Sequence, residues 1–161
     1  MILSQRDPRW KNHPLGLSNL TIGGEGCTTT CIAMVNNDFG QNCTPDQVAD
    51  HIEWYTRAGL ILWPKLLLKG AVWTWREYGF NWDKIGKAVA DPNQRVLIEV
   101  PMAHGSHWLK ATRLDEMGHL LAYDPWFGDE CSVIARYKKI IGSSFFTRRD
   151  PVLPERPLNH Q

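Results

Sequence analysis

Apolar residues recur at helical spacing in the first part of this 161-residue chain, β-branched runs crowd the second, and no strand–helix–strand alternation joins them. These three observations predict an α+β fold, with helices in the N-terminal part and strands in the C-terminal part. Hydrophobic residues make up 43% of the chain, enough for one core and one domain. The domain is expected over residues 1–146, with 147–161 as a tail.

Residues 21–26, rich in glycine, read as a loop, after which Cys27, Cys31, Met34 and Val35 mark one helix face and Gly40 its stop. A second helix opens at Thr44-Pro45-Asp46-Gln47. There threonine caps, proline takes the first helical position and Gln47 closes a capping box. Its pattern runs through Val48, Ile52 and Tyr55. Residues 60–80 are apolar without a clean period and are expected to form short buried elements. A third helix is predicted over 81–90, then a turn at Asp91-Pro92-Asn93 and a strand over 96–100. Two strands, 108–113 and 119–123, flank a turn at 115–118, and Val133–Tyr137 suggests another. From residue 151 a proline stands at every third position, which predicts an extended, polyproline-like tail lying on the surface.

Composition excludes several functions. Eighteen basic against 17 acidic residues give a net charge of +1, too little for a whole-molecule field that would draw nucleic acid or an acidic membrane. The longest apolar run, 60–68, is broken by Pro64 and Lys65 and falls short of the roughly 20 residues that span a bilayer. Charge and proline in the first ten residues leave no room for a signal peptide, so the expectation is a soluble protein, cytoplasmic or released without a signal. Four cysteines are too sparse for a disulfide scaffold.

Cys27 is the first candidate for chemistry. It follows the glycine-rich loop and begins an apolar helix, where free backbone N–H groups and the helix dipole favour a thiolate. Gly23, Gly24 and Gly26 remove side chains around it, so a substrate backbone can approach and the Cys27 N–H can face a developing oxyanion. Cys31, flanked by Ile32 and Ala33, reads as a small buried cysteine. A thiol nucleophile needs an imidazole, and His107, at the start of a strand, is better held than His104 in the preceding loop. If the hairpin loop is even-numbered and centred between Glu116 and Met117, facing residue numbers sum to 233. His107 and Asp124 then share a face as diagonal neighbours. A three-residue loop would turn Asp124 to the other face.

Other readings compete. Cys27, Cys31, Cys43 and His51 could be imagined as zinc ligands, but their spacing matches no common module, and no metal or cofactor is expected. Gly26 is followed by Cys27 and Thr28, not by the lysine of a phosphate loop. Six of the eight tryptophans, at 63, 73, 75, 82, 108 and 126, are candidates for lining a groove, although large aromatics also fill small cores. Trp108 and Trp126 are the two assigned to substrate. A non-catalytic module holding a peptide or glycan in such a tryptophan-rich cleft is the alternative to an enzyme.

Several motifs occur in a telling order: Gln5-Arg6-Asp7-Pro8-Arg9-Trp10, Leu15-Gly16, residues 21–34 around Cys27, Thr44-Pro45-Asp46, Gly105-Ser106-His107-Trp108, and Asp124-Pro125-Trp126-Phe127-Gly128. In this combination the chain resembles the papain-like cysteine peptidases related to the bacteriocin-processing, double-glycine-leader peptidases, especially their stand-alone members. The resemblance implies Cys27 as nucleophile, His107 as general base and acid, Asp124 as the residue that orients the imidazole, and Gln5 as oxyanion-hole donor. It also implies the papain-like fold, with the cysteine on a central helix and the histidine and aspartate on a twisted sheet. The expected activity is cleavage of a peptide or amide bond in a peptide, protein or peptidoglycan substrate. The chain carries no ATP-binding segment, so a transporter-linked role in leader removal is not expected within it.

Overall fold

The structure, a computed structural model, describes residues 1–150. It is a mixed helical and antiparallel fold, α+β as expected. A six-stranded sheet in the order β1-β6-β2-β3-β4-β5 carries helices on both faces. The strands are β1 (Ala71–Tyr78), β2 (Gln94–Pro101), β3 (Ser106–Leu114), β4 (Leu120–Asp124), β5 (Asp129–Ser132) and β6 (Gly142–Arg148), and every neighbouring pair is antiparallel.

The N-terminal half supplies one layer. Residues 21–26 are not all loop: Thr21 caps a one-turn helix, α1 (Ile22–Glu25), by accepting from the Gly24 N–H. Gly26 then breaks the axis before α2 (Cys27–Asp38) begins. A side chain at Gly26 would meet the backbone of Ile22 at 2.5 Å, so only glycine permits the two helices to abut. The second helix, α3 (Pro45–Ala49), forms where the capping signal placed it, with Gln47 Oε1 accepting from the Thr44 N–H at 3.1 Å. It is shorter than expected. The chain leaves α3 at Asp50, and a 3-10 turn (Ile52–Trp54) swings Trp54 and Tyr55 into the core, where the Tyr55 hydroxyl meets Thr29 at 2.7 Å.

Two cores sandwich the sheet. Ile22, Ile32, Met34, Val35, Val48 and Trp54 pack with Leu97, Trp108 and Phe146 on one face. On the other, Ile85 and Ala88 of α4 (Trp82–Ala90) lie against Val96, Ile98, Val100, Leu109 and Ala111. Burying such large aliphatic and aromatic side chains stabilises the fold by about 1.5–3 kcal/mol each. Asp38, the last residue of α2, clips the helix to the sheet: its carboxylate accepts from Arg95 at 2.7 Å and from the buried Lys110.

Several expectations change. The 60–80 region contains a full edge strand, β1, whose alternation is broken by a bulge between Trp73 and Trp75. Val133–Tyr137 is not a strand but a short helix, α5, capped by Ser132, whose hydroxyl accepts from the Ala135 N–H. The expected domain end at 146 falls inside β6, and Arg149 still bonds the carbonyls of Leu68 and Gly70. The proline-rich stretch from 151 lies outside the described residues. Among the described residues no helix is long and apolar enough to cross a membrane.

Candidate functional site

The Cys27 thiol stands at the first position of α2, where the backbone N–H has no acceptor within the helix. β3 and β4 bring an imidazole and a carboxylate to the same place. His107 Nε2 lies 2.8 Å from Asp124 Oδ1, which leaves Nδ1 to hydrogen-bond the Cys27 thiol. His107 and Asp124 do share a face, but the route differs from the expected one. The turn has three free residues, 116–118, with Asp115 bonded to His119 and Gly118 at φ +82°. Facing numbers next to it therefore sum to 234, as in Arg113 with Leu121. A bulge at Thr112 then restores 233 for Ala111 with Ala122 and Lys110 with Tyr123. The bulge cancels the flip that a three-residue turn imposes.

Asp124 is fully buried and receives four donors. Oδ1 accepts from His107 and from the Trp126 N–H at 3.0 Å; Oδ2 accepts from Arg136 at 3.0 Å and from the Tyr137 hydroxyl. Burial alone would raise this carboxyl, but the bonds from His107, Tyr137 and Arg136 outweigh it and bring its pKa to about 2. Burial likewise opposes the charged imidazole, yet Asp124 and the thiol raise His107 to about 9. For Cys27, burial pushes the thiol up, while the His107 hydrogen bond and charge, a backbone bond from Trp108 and Thr28 more than offset it and lower the pKa. Cys31, Cys43 and Cys131 go the other way, all raised by burial, and all four cysteines are free thiols.

Gln5 joins the two sides of this site. Its backbone N–H donates to Pro125 O at 2.8 Å, beside Asp124. Its side-chain Nε2 donates to the carbonyls of Ile22 and Gly23 at 3.4 and 3.3 Å, on the turn that leads to Cys27. The side chain is buried and Oε1 has no hydrogen-bond partner.

The residues expected to touch substrate divide. Gly24 is exposed, and only Thr21 Oγ1 comes near it. Gly26 is buried and serves the junction of α1 with α2, so close packing, not substrate access, explains this glycine. Trp108 is also a core residue, edge-on to Trp63 with centroids 5.3 Å apart and with the Arg76 guanidinium 4.7 Å over its ring. Trp126 is half-buried, with the Arg6 guanidinium 4.8 Å over its ring. Cys27, Cys31, Cys43 and His51 do not gather, and among the described residues no three metal-ligating side chains do.

Two residues of the site were not foreseen. Arg136 and Tyr137 reach Asp124 because α5 turns back over β4 and β5, and reading Val133–Tyr137 as a strand hid them. The signal was Ser132, a capping residue directly before that stretch. Arg136 also pairs with Asp129 at 2.8 Å, which fixes its guanidinium from the far side. No protein-family model, curated protein or solved structure matches the chain.

Proposed function

We propose that this protein is a thiol hydrolase of papain-like architecture that cleaves a peptide or amide bond, in peptidoglycan or in a peptide or protein. The observation that carries the reading is the continuous chain of contacts from the buried Asp124 carboxylate through the His107 imidazole to a half-buried thiol at a helix N-terminus. A lowered thiol beside a raised imidazole favours the thiolate–imidazolium pair, the attacking form of such a nucleophile.

In this reaction the Cys27 sulfur attacks the carbonyl carbon and the carbonyl π electrons move to oxygen. The Cys27 N–H stabilises that oxyanion, together with the Gln5 amide, whose long bonds to Ile22 and Gly23 hold it only loosely. His107 gives its Nδ1 proton to the leaving amine as the C–N bond breaks, which leaves a thioester. Water then attacks the thioester, His107 takes its proton, and the thiolate departs. Asp124 stays ionised throughout and holds the ring orientation.

Cys27→Ala tests the reading. The variant should keep the far-ultraviolet circular dichroism of the parent and lose turnover of peptidoglycan stem peptides and of unstructured protein substrates. Turnover that survives the substitution would overturn the mechanism.

A further inference from the structure

We infer that the groove on the Gln5 flank of Cys27 is a subsite for a carboxylate carried by the substrate. The inference rests on the hydrolase reading above and names what that hydrolase selects. The groove has a volume of about 530 Å³ and is lined by Arg6, Lys11, Asn12, Thr21, Gly23 and Gly24. It is open, as a subsite for an extended chain must be, and its floor is the glycine stretch that leads into Cys27.

Both residues are anchored beside the site, Arg6 through its ring contact and Lys11 through its backbone. Arg6 follows Gln5 and lies over the ring of Trp126, a residue whose backbone N–H is bonded to Asp124. The Lys11 carbonyl accepts from the Gly23 N–H at 2.8 Å, and a side chain at Gly23 would collide with that carbonyl. No acidic side chain lines the groove. Among the described residues neither Arg6 nor Lys11 has a carboxylate within 4.0 Å, as is also true of Arg57, Lys65 and Lys87 elsewhere in the chain. Asp7, the closest acid in sequence to Arg6, is already taken by Arg9 at 2.9 Å. In a chain of net charge +1 this pair is a local feature, and Asn12 and Thr21 add neutral hydrogen-bonding groups beside it. Two unpaired cations beside the glycine stretch that leads into the nucleophile's helix favour a substrate that brings the negative charge with it.

The carboxylate has two sources, an acidic side chain or a free chain end, and three alkylating probes separate them. These are N-iodoacetyl-glutamate α-amide, N-iodoacetyl-glutamine with a free α-carboxylate, and the neutral N-iodoacetyl-glutaminamide. The full chain is labelled at about 20 mM salt, where screening is weak, and Cys27 modification is followed by mass spectrometry. At least one carboxylate probe should modify Cys27 roughly three- to ten-fold faster than the neutral one, the range two exposed ion pairs supply. The faster of the two identifies the source. That ratio should approach one in Arg6→Gln and in Lys11→Gln, and in the parent at about 0.5 M salt, which keeps the test intact if a variant folds poorly. Carboxylate probes no faster than the neutral one would overturn the inference. A preference that survives both substitutions would do the same, since it would then belong to the His107 charge. Failure of the hydrolase reading looks different: the neutral probe would not select Cys27 over Cys31, Cys43 and Cys131.

Discussion

The two ends of α2 each carry buried charges, and they differ in what the charges face. At the C-terminal end Asp38 holds Lys110 and Arg95, with Arg113 paired to Glu130 beyond them, beside a depression of about 520 Å³. Burial lowers Lys110 and Asp38 holds it up, and no thiol lines the depression. At the N-terminal end the series Asp124, His107, Cys27 begins in full burial and finishes on a half-buried cysteine. A buried ion cluster with a cavity beside it is therefore a structural clip at one end of the helix, and the imidazole-paired thiol makes the other a candidate site. The same helix also sets Cys27 one turn from Cys31, which is fully buried against the Trp108 carbonyl and raised well above an ordinary thiol.

The sharpest way to break this contrast is His107→Ala. Without the imidazolium the main interaction opposing the burial of Cys27 is lost, and its alkylation rate at pH 6 should fall by about 10²-fold or more, the scale of a lost acid–base partner. A rate within a few-fold of the parent would detach the thiol from His107. The opposite end answers to Asp38→Ala, which strands Lys110 without its partner and should cost about 3–5 kcal/mol in urea unfolding, with the Cys27 labelling profile unmoved. If that profile moved as well, the two ends would not be independent.

Asp124→Asn separates the roles by pH. A folded pKa of about 2, below the ordinary 3.8, means that Asp124 stabilises the fold above pH 3.8 and loses that contribution as pH falls toward 2. His107, raised from 6.5 to about 9, contributes fully below pH 6.5 and loses its contribution as pH rises through 9. The variant should flatten both limbs of the urea midpoint against pH; limbs of unchanged slope would refute the coupling. The smallest change is Tyr137→Phe, which removes one donor from a buried carboxylate and should cost about 1–3 kcal/mol while the Cys27 labelling profile keeps its shape. An unfolded Tyr137→Phe protein would assign the tyrosine a larger share of the fold than one bond.

The site was legible where short signals act locally. The glycine stretch before an apolar periodic run located Cys27, and the β-branched run with its turn located β2, β3 and β4. The hairpin register came out right on the far side of a bulge that no residue pattern announces: Thr112 is an ordinary strand residue, and only the pairing on both sides of it reveals the extra position. β6 was invisible for a different reason. It lies between β1 and β2, buried on both faces from Gly142 to Phe146, so its small polar and aromatic residues follow no alternation. α5 was hidden because Val133 and Ile134 favour a strand locally, while the Ser132 cap and the bonds of Arg136 and Tyr137 to Asp124 decide for a helix. Of the six tryptophans expected to line a groove, Trp108 is buried in the core and Trp63 and Trp73 pack against it, whereas Trp75 and Trp82 are exposed on the surface.

The central claim is that Cys27 alone among four thiols is activated, and that a carboxylate-held imidazole activates it. Its most direct test is iodoacetamide labelling of the parent protein from pH 5 to pH 9, with each cysteine followed separately by mass spectrometry. The account predicts selective modification of Cys27 already at pH 6, and a further change near pH 9 as the imidazolium loses its proton, while Cys31, Cys43 and Cys131 stay slow across the range. A Cys27 as slow at pH 6 as the other three would contradict it.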